Sequence, residues 1–128
     1  MFGGGIARAH GRLQVVDVSD IEHPKSVAWY EPEYGGVHNV WVAGDTLYMG
    51  AYNAGFHAFD ISGELRGDLK AQGREIGEFM TGDPKGHIPN APMAWGVVVN
   101  RKDGLAYVND VNSGLWALRI EPKPKPVP

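Results

Sequence analysis

Imidazole is a metal ligand and proton shuttle, and the histidine best placed for such work is His38, in His38-Asn39 at the head of the apolar run VWVA. If that run lines a channel, His38 faces a divalent metal or a polar ligand there, with Asn39 beside it. The equivalent position later in the chain is Trp95-Gly96, so a full ligand sphere would draw on groups elsewhere. The other reading is a hydrogen-bonded structural histidine. His10, His23, His57 and His87 show no HxH, HxxxH or HExxH spacing. His57 falls inside a strand-like run and reads as packed, whereas His87 lies in a long loop and is a candidate for ligand contact.

Aromatic rings offer a second chemistry. Trp29, Trp41, Trp95 and Trp116, with Tyr30, Tyr34 and Tyr52, could stack on a sugar or a peptide, or wedge between sheets. Tyr34 and Trp95 are nearest to loops and are the candidates for ligand contact. Asp17 and Asp60 are each followed by a serine two residues on. A carboxylate in that place hydrogen-bonds the backbone of the next turn, and the recurrence favours this structural role over metal or acid–base work. Ser19, Ser26, Ser62 and Ser113 sit in no nucleophile elbow. Gly3-Gly4-Gly5 follows no strand and reads as a frayed terminus rather than a phosphate cradle. No catalytic residue is assigned, and no cofactor is expected beyond a divalent metal at His38 in the alternative reading.

Composition narrows the class. The chain has 128 residues, 43% hydrophobic and 21% charged, which suits one domain with a core and argues against disorder. A net charge of −3 gives no reason to expect nucleic acid. Cysteine is absent, so neither a disulfide framework nor a thiolate zinc site is open. No apolar run reaches the ~18 residues of a membrane-crossing helix, and residues 1–5 lack the pattern of a signal peptide. Glycine (18) and proline (9) are frequent, as many short strands with many turns require.

The elements that would hold these groups are short strands, about nine or ten in all. Apolar runs at 13–19, 25–30, 38–43, 46–52, 56–61, 76–80, 94–100, 105–110 and 115–120 alternate with turn signals. Gly44-Asp45, Asn53-Ala54-Gly55, residues 101–104 and Asn112-Ser113-Gly114 are the tight breaks, with Gly55 and Gly114 as turn glycines. Residues 31–36 and 81–92 are loops. In 62–73, Leu65 and Leu69 sit four apart after Ser62, which allows one helical turn and no more. LQVVDVS (13–19) sets directly under FHAFDIS (56–62), and YMGAYNAG (48–55) under YVNDVNSG (107–114). Leu115–Ile120 fits the same frame, with Arg119 where Asp stands in the other copies. A period of roughly 40–45 residues with about four strands per unit is that of a β-propeller blade. Both alternating sets in the central runs are largely apolar, as a sheet covered on both faces requires.

LQVVDVSD, with Pro24 shortly after, and FHAFDIS resemble the LVIVD repeat, a β-propeller repeat. The resemblance spans roughly residues 5–120. It implies an extracytoplasmic or cell-surface propeller and assigns it no activity. The expected fold is all-β: four-stranded antiparallel meander blades, with fragments at 5–30, 37–80 and 94–120 and a proline-rich, disordered tail at 121–128. The expected function is non-enzymatic binding of a protein or small molecule on the rim formed by loops 31–36, 53–55, 82–92 and 112–114. The alternative is an enzyme or metal site at the channel mouth that includes His38.

About two and a half blades fall short of the roughly four to eight that close a ring. The expected partners are therefore missing blades of the same chain or further copies, because uncovered blade faces and open strand edges favour association. The 128 residues by themselves are expected to self-associate or to be of low stability. Gel filtration with a denaturant melt checks this, and a monodisperse monomer with a cooperative transition would contradict it.

Overall fold

Ten strands and no helix form over residues 10–121, the part of the chain that the computed structural model describes. They are β1 (Leu13–Asp17), β2 (Lys25–Tyr30), β3 (Val40–Ala43), β4 (Thr46–Gly50), β5 (Phe56–Asp60), β6 (Gly67–Asp68), β7 (Glu75–Phe79), β8 (Ala94–Val99), β9 (Ala106–Asp110) and β10 (Gly114–Leu118). The expected strand remnant at 5–10 and the tail at 121–128 fall almost wholly outside the described residues.

The short runs pair with their chain neighbours because each break is a tight turn. β3 and β4 join across Gly44-Asp45, with Ala43 opposite Thr46 and Gly44 at a φ of 58°. Such two-residue hairpins need a left-handed residue in the turn, which glycine supplies without strain. β3-β4-β5-β7 form a four-stranded antiparallel meander, the central sheet. The last sheet is the antiparallel set β8-β9-β10. The first sheet pairs β1 with β2 antiparallel and adds β6 parallel to β2.

The three sheets stack as partial propeller blades, with the central one between the others. Leu47, Met49 and Phe59 pack with Leu13, Ala28 and Tyr30 of the first sheet. The intervening residues Phe56 and Ala58 pack with Ala94, Val97, Ala106 and Val108 of the last. Period-two alternation thus sends neighbouring residues of β5 into two different cores. Near the inner edge the central and last sheets approach backbone to backbone. Tyr52 N–H donates to the Ala94 carbonyl at 2.8 Å, and a Cβ on Gly50 would stand 2.7 Å from the Trp95 carbonyl oxygen.

Two expectations need correction. The helical turn expected after Ser62 does not form there; a lone turn closes further on, where Gln72 N–H donates to the Asp68 carbonyl at 3.1 Å, and no helix grows from it. Gly63, Gly67 and Gly73 have φ of 67°, 62° and 70°, which a right-handed helix cannot absorb. Asp68 accepts from the amides of Lys70 and Ala71, and closes a turn of its own. Leu69 is instead fully buried in the core between the first and central sheets, with Leu65 packed against it. The second correction concerns β3. Val40 and Val42 share a face with Met49 and Leu47 but are 45% and 54% exposed. Among the described residues the first sheet has no inner strand to lie opposite them.

Phe59→Ala should cost about 3–5 kcal/mol in denaturant unfolding, because it empties the seam between first and central sheets. Leu115→Ala, on the open face of the last sheet, should change stability by no more than about 0.5 kcal/mol.

Candidate functional site

At one rim the loops between strands are tied to one another. Residues 51–55 close a tight turn: Ala51 N–H donates to the Gly55 carbonyl at 2.8 Å, and Gly55 N–H to the Tyr52 carbonyl at 3.0 Å. Gly55 has a φ of 77°, and a Cβ there would meet the Phe79 carbonyl oxygen at 2.5 Å. Loop 31–36 passes under this turn, where a Cβ on Gly35 would be 2.6 Å from Ala54 N. On the other side Asn53 Nδ2 donates to the Pro92 carbonyl at 3.3 Å. Asn112 then holds loop 82–92 by three bonds. Its Nδ2 donates to the carbonyls of Ile88 and Ala91, each at 2.7 Å, and its Oδ1 accepts from Ile88 N–H at 2.8 Å. Loops 31–36, 53–55, 82–92 and 112–114 therefore form one continuous surface.

Asp110, at the end of β9, anchors this arrangement. It is 2% exposed and accepts four hydrogen bonds. Oδ2 takes the Thr81 hydroxyl and Met93 N–H, the latter at 2.7 Å. Oδ1 takes the amides of Asn112 at 2.7 Å and Ser113 at 2.9 Å. Burial by itself would raise its pKa. The bonds from Thr81, Met93, Ser113 and Asn112 outweigh that and hold the carboxyl below its ordinary value. Ser113 adds a bond from its hydroxyl to the Thr81 carbonyl at 2.6 Å. In the sequence Asp110 is only the end of a strand-like run. Its signal was there in the repeat, where Ala51 is the counterpart of Asp110, an apolar position turned carboxylate.

Asp17 and Asp60 accept from the amides of Ser19 at 2.9 Å and Ser62 at 2.8 Å. These bonds to serine lower both carboxyl pKa values. Gly114, like Gly55, is left-handed, with a φ of 92°.

Of the residues expected at a ligand site, His38, Asn39 and Trp95 come together. Asn39 N–H donates to the Trp95 carbonyl at 3.3 Å. His38 Nδ1 lies 3.0 Å from the same oxygen, which can only accept, so Nδ1 carries the proton. The imidazole is packed against the Trp95 ring at 4.2 Å and edge-on to Tyr52 at 5.1 Å. Tyr34 and His87 are exposed on loops 31–36 and 82–92. Among the described residues, the one set of three or more ligating groups that gathers is elsewhere and excludes His38.

That set is His57, Glu75 and Glu78. His57 is 4% exposed on β5. Its Nε2 lies 3.0 Å from the Ala54 carbonyl and its Nδ1 2.6 Å from Glu75 Oε1, with the Tyr30 hydroxyl 3.5 Å from Nδ1. Burial, then Glu75, Glu78, Asp68 and Glu33, push the Tyr30 phenol well above its ordinary pKa, which keeps it neutral. Reading His57 as packed caught its burial but not its acidic neighbours, which lie about twenty residues on.

No family model, no curated protein and no solved structure matches this chain. Among the described residues no helix is long and apolar enough to cross a membrane.

Asp110→Asn sets an amide NH2 either against Met93 N–H on the Oδ2 side or against the amides of Asn112 and Ser113 on the Oδ1 side. It should destabilise by about 2–3 kcal/mol at neutral pH, since hydrogen bonds to charged groups are worth about 1.5–3 kcal/mol each. A lowered folded pKa gives stability that is complete above the ordinary carboxyl value of 3.8 and lost as pH falls through the folded value. Urea midpoints measured from pH 7 to about pH 3 should therefore fall less steeply at the acid end in the variant than in the parent.

Proposed function

We propose that this chain is a non-enzymatic binding domain whose partner docks on the rim made by loops 31–36, 53–55, 82–92 and 112–114. One observation carries the reading: the loops are fixed by side-chain bonds from Asn53, Asn112 and Asp110, while apolar tips stand out of them. Tyr34, Ile88, Trp95 and Val111 are exposed on these loops and beside them. Fixed loops lower the ordering cost of binding, and exposed aromatic and aliphatic anchors are what a protein partner buries. Tips spread over loops 31–36 and 82–92, the start of β8 and the residue after β9 suit an extended peptide segment better than a small molecule. The acidic balance of the chain adds no attraction for nucleic acid. The likeness to LVIVD-repeat propellers rests on LQVVDVSD and FHAFDIS, and suits a place outside the cytoplasm.

Panning a random-peptide phage library on the full chain tests this. Enriched peptides should lose tenfold or more in affinity with Tyr34→Ala or Ile88→Asp and keep it with Leu115→Asp, on the open face of the last sheet. Loss in Leu115→Asp with retention in both rim variants would contradict the proposal.

A further inference from the structure

Glu75 and Glu78 are three residues apart on β7, a spacing that sends side chains to opposite faces of a regular strand. Here the register jumps. His57 pairs with Glu78 and Ala58 with Gly77, but Phe59 pairs with Glu75, and Ile76 is the extra residue. This β-bulge turns Glu75 onto the face that His57 and Glu78 share, and re-aiming a side chain is a recurrent use of bulges. Two carboxylates and one buried imidazole thereby meet in the seam between the first and central sheets, with ligand atoms all within 4.8 Å of one another.

The imidazole is held as metal-bound histidines are. Nε2–H donates to the Ala54 carbonyl, which can only accept, and this fixes the ring and leaves Nδ1 aimed at the carboxylates. The Glu78 carboxylate makes no hydrogen bond or ion pair of its own among the described residues, its backbone alone pairing with β5. Lys70 Nζ stands 3.8 Å from Glu75 Oε2 on an exposed stem that can swing away. We propose that His57 Nδ1, Glu75 and Glu78 bind one divalent cation of the zinc class, with the Tyr30 hydroxyl bordering the fourth position. One imidazole and two carboxylates make a borderline donor set that suits Zn²⁺ or Co²⁺. Ca²⁺ wants about six to eight oxygens, which this seam does not gather. Ligands of a tetrahedral ion sit roughly 3.4 Å apart at ordinary Zn–N and Zn–O lengths, so the 2.6 Å between Nδ1 and Glu75 opens slightly as the ion replaces the shared proton. The ion would join β2, β5, β7 and the turn at Ala54, and brace the rim from beneath. This site stands apart from the rim proposal and can fail without it.

The full 128-residue chain, freed of metal by chelation, is titrated with ZnCl₂ by calorimetry and with CoCl₂ by visible absorption. One saturable equivalent is expected, with the d–d bands of Co²⁺ at low coordination number. Glu78→Gln, at an exposed position, should fold as the parent and bind tenfold or more weakly, whereas His87→Ala should bind as the parent. No saturable equivalent, or one that persists unchanged in Glu78→Gln, would overturn the proposal.

Discussion

Strand β5 lies between two sheets, so its side chains from Phe56 to Phe59 must meet protein rather than water, and much of the molecule follows from that. Phe56 and Ala58 fill the seam with the last sheet, and Phe59 the seam with the first. His57 is the exception in chemistry but not in burial. A buried polar ring must be hydrogen-bonded or it costs on the order of 1–3 kcal/mol, and both its nitrogens find acceptors. The β5–β7 bulge that supplies one of these acceptors would be unnecessary on a strand with a wet face.

The short strands impose a second demand, because each leaves backbone amides unpaired where it ends. The chain answers with carboxylates that accept from the amide two residues on. Asp17, Asp60, Asp68, Asp103 and Asp110 all do this. Most stand near water and serve only their own turn. Asp110 is buried, and its second oxygen reaches Thr81 and Met93 on the loop that leads from the central sheet to the last. A local turn device thus becomes a long-range tie between sheets. The rim loops inherit their definition from it.

The strands were largely legible because hydrophobic runs and Gly or Asp turns are local signals. FHAFD and KSVAWY mark β5 and β2 without reference to anything distant. The loops that meet at the rim followed from meander order alone. What sequence could not show depends on partners far along the chain. Leu65 and Leu69 carry helical spacing, yet their burial against the first sheet is a tertiary matter. The spacing of Glu75 and Glu78 points to opposite faces until one register slip reverses it. The exposure of Val40 and Val42 depends on what lies opposite them, which no local pattern records. His38 drew notice as a histidine at a strand head, but its packing between Trp95 and Tyr52 arises from the contact of two sheets.

Amide hydrogen exchange followed by NMR on the full chain tests the stacking most directly, because protection reports how deeply each strand is held. With the central sheet enclosed on both sides, the amides of β4 and β5 should exchange most slowly, and those of β3 and β10 markedly faster. Exchange of β5 as rapid as that of β10 would contradict the stack on which the rim and the His57 seam both depend.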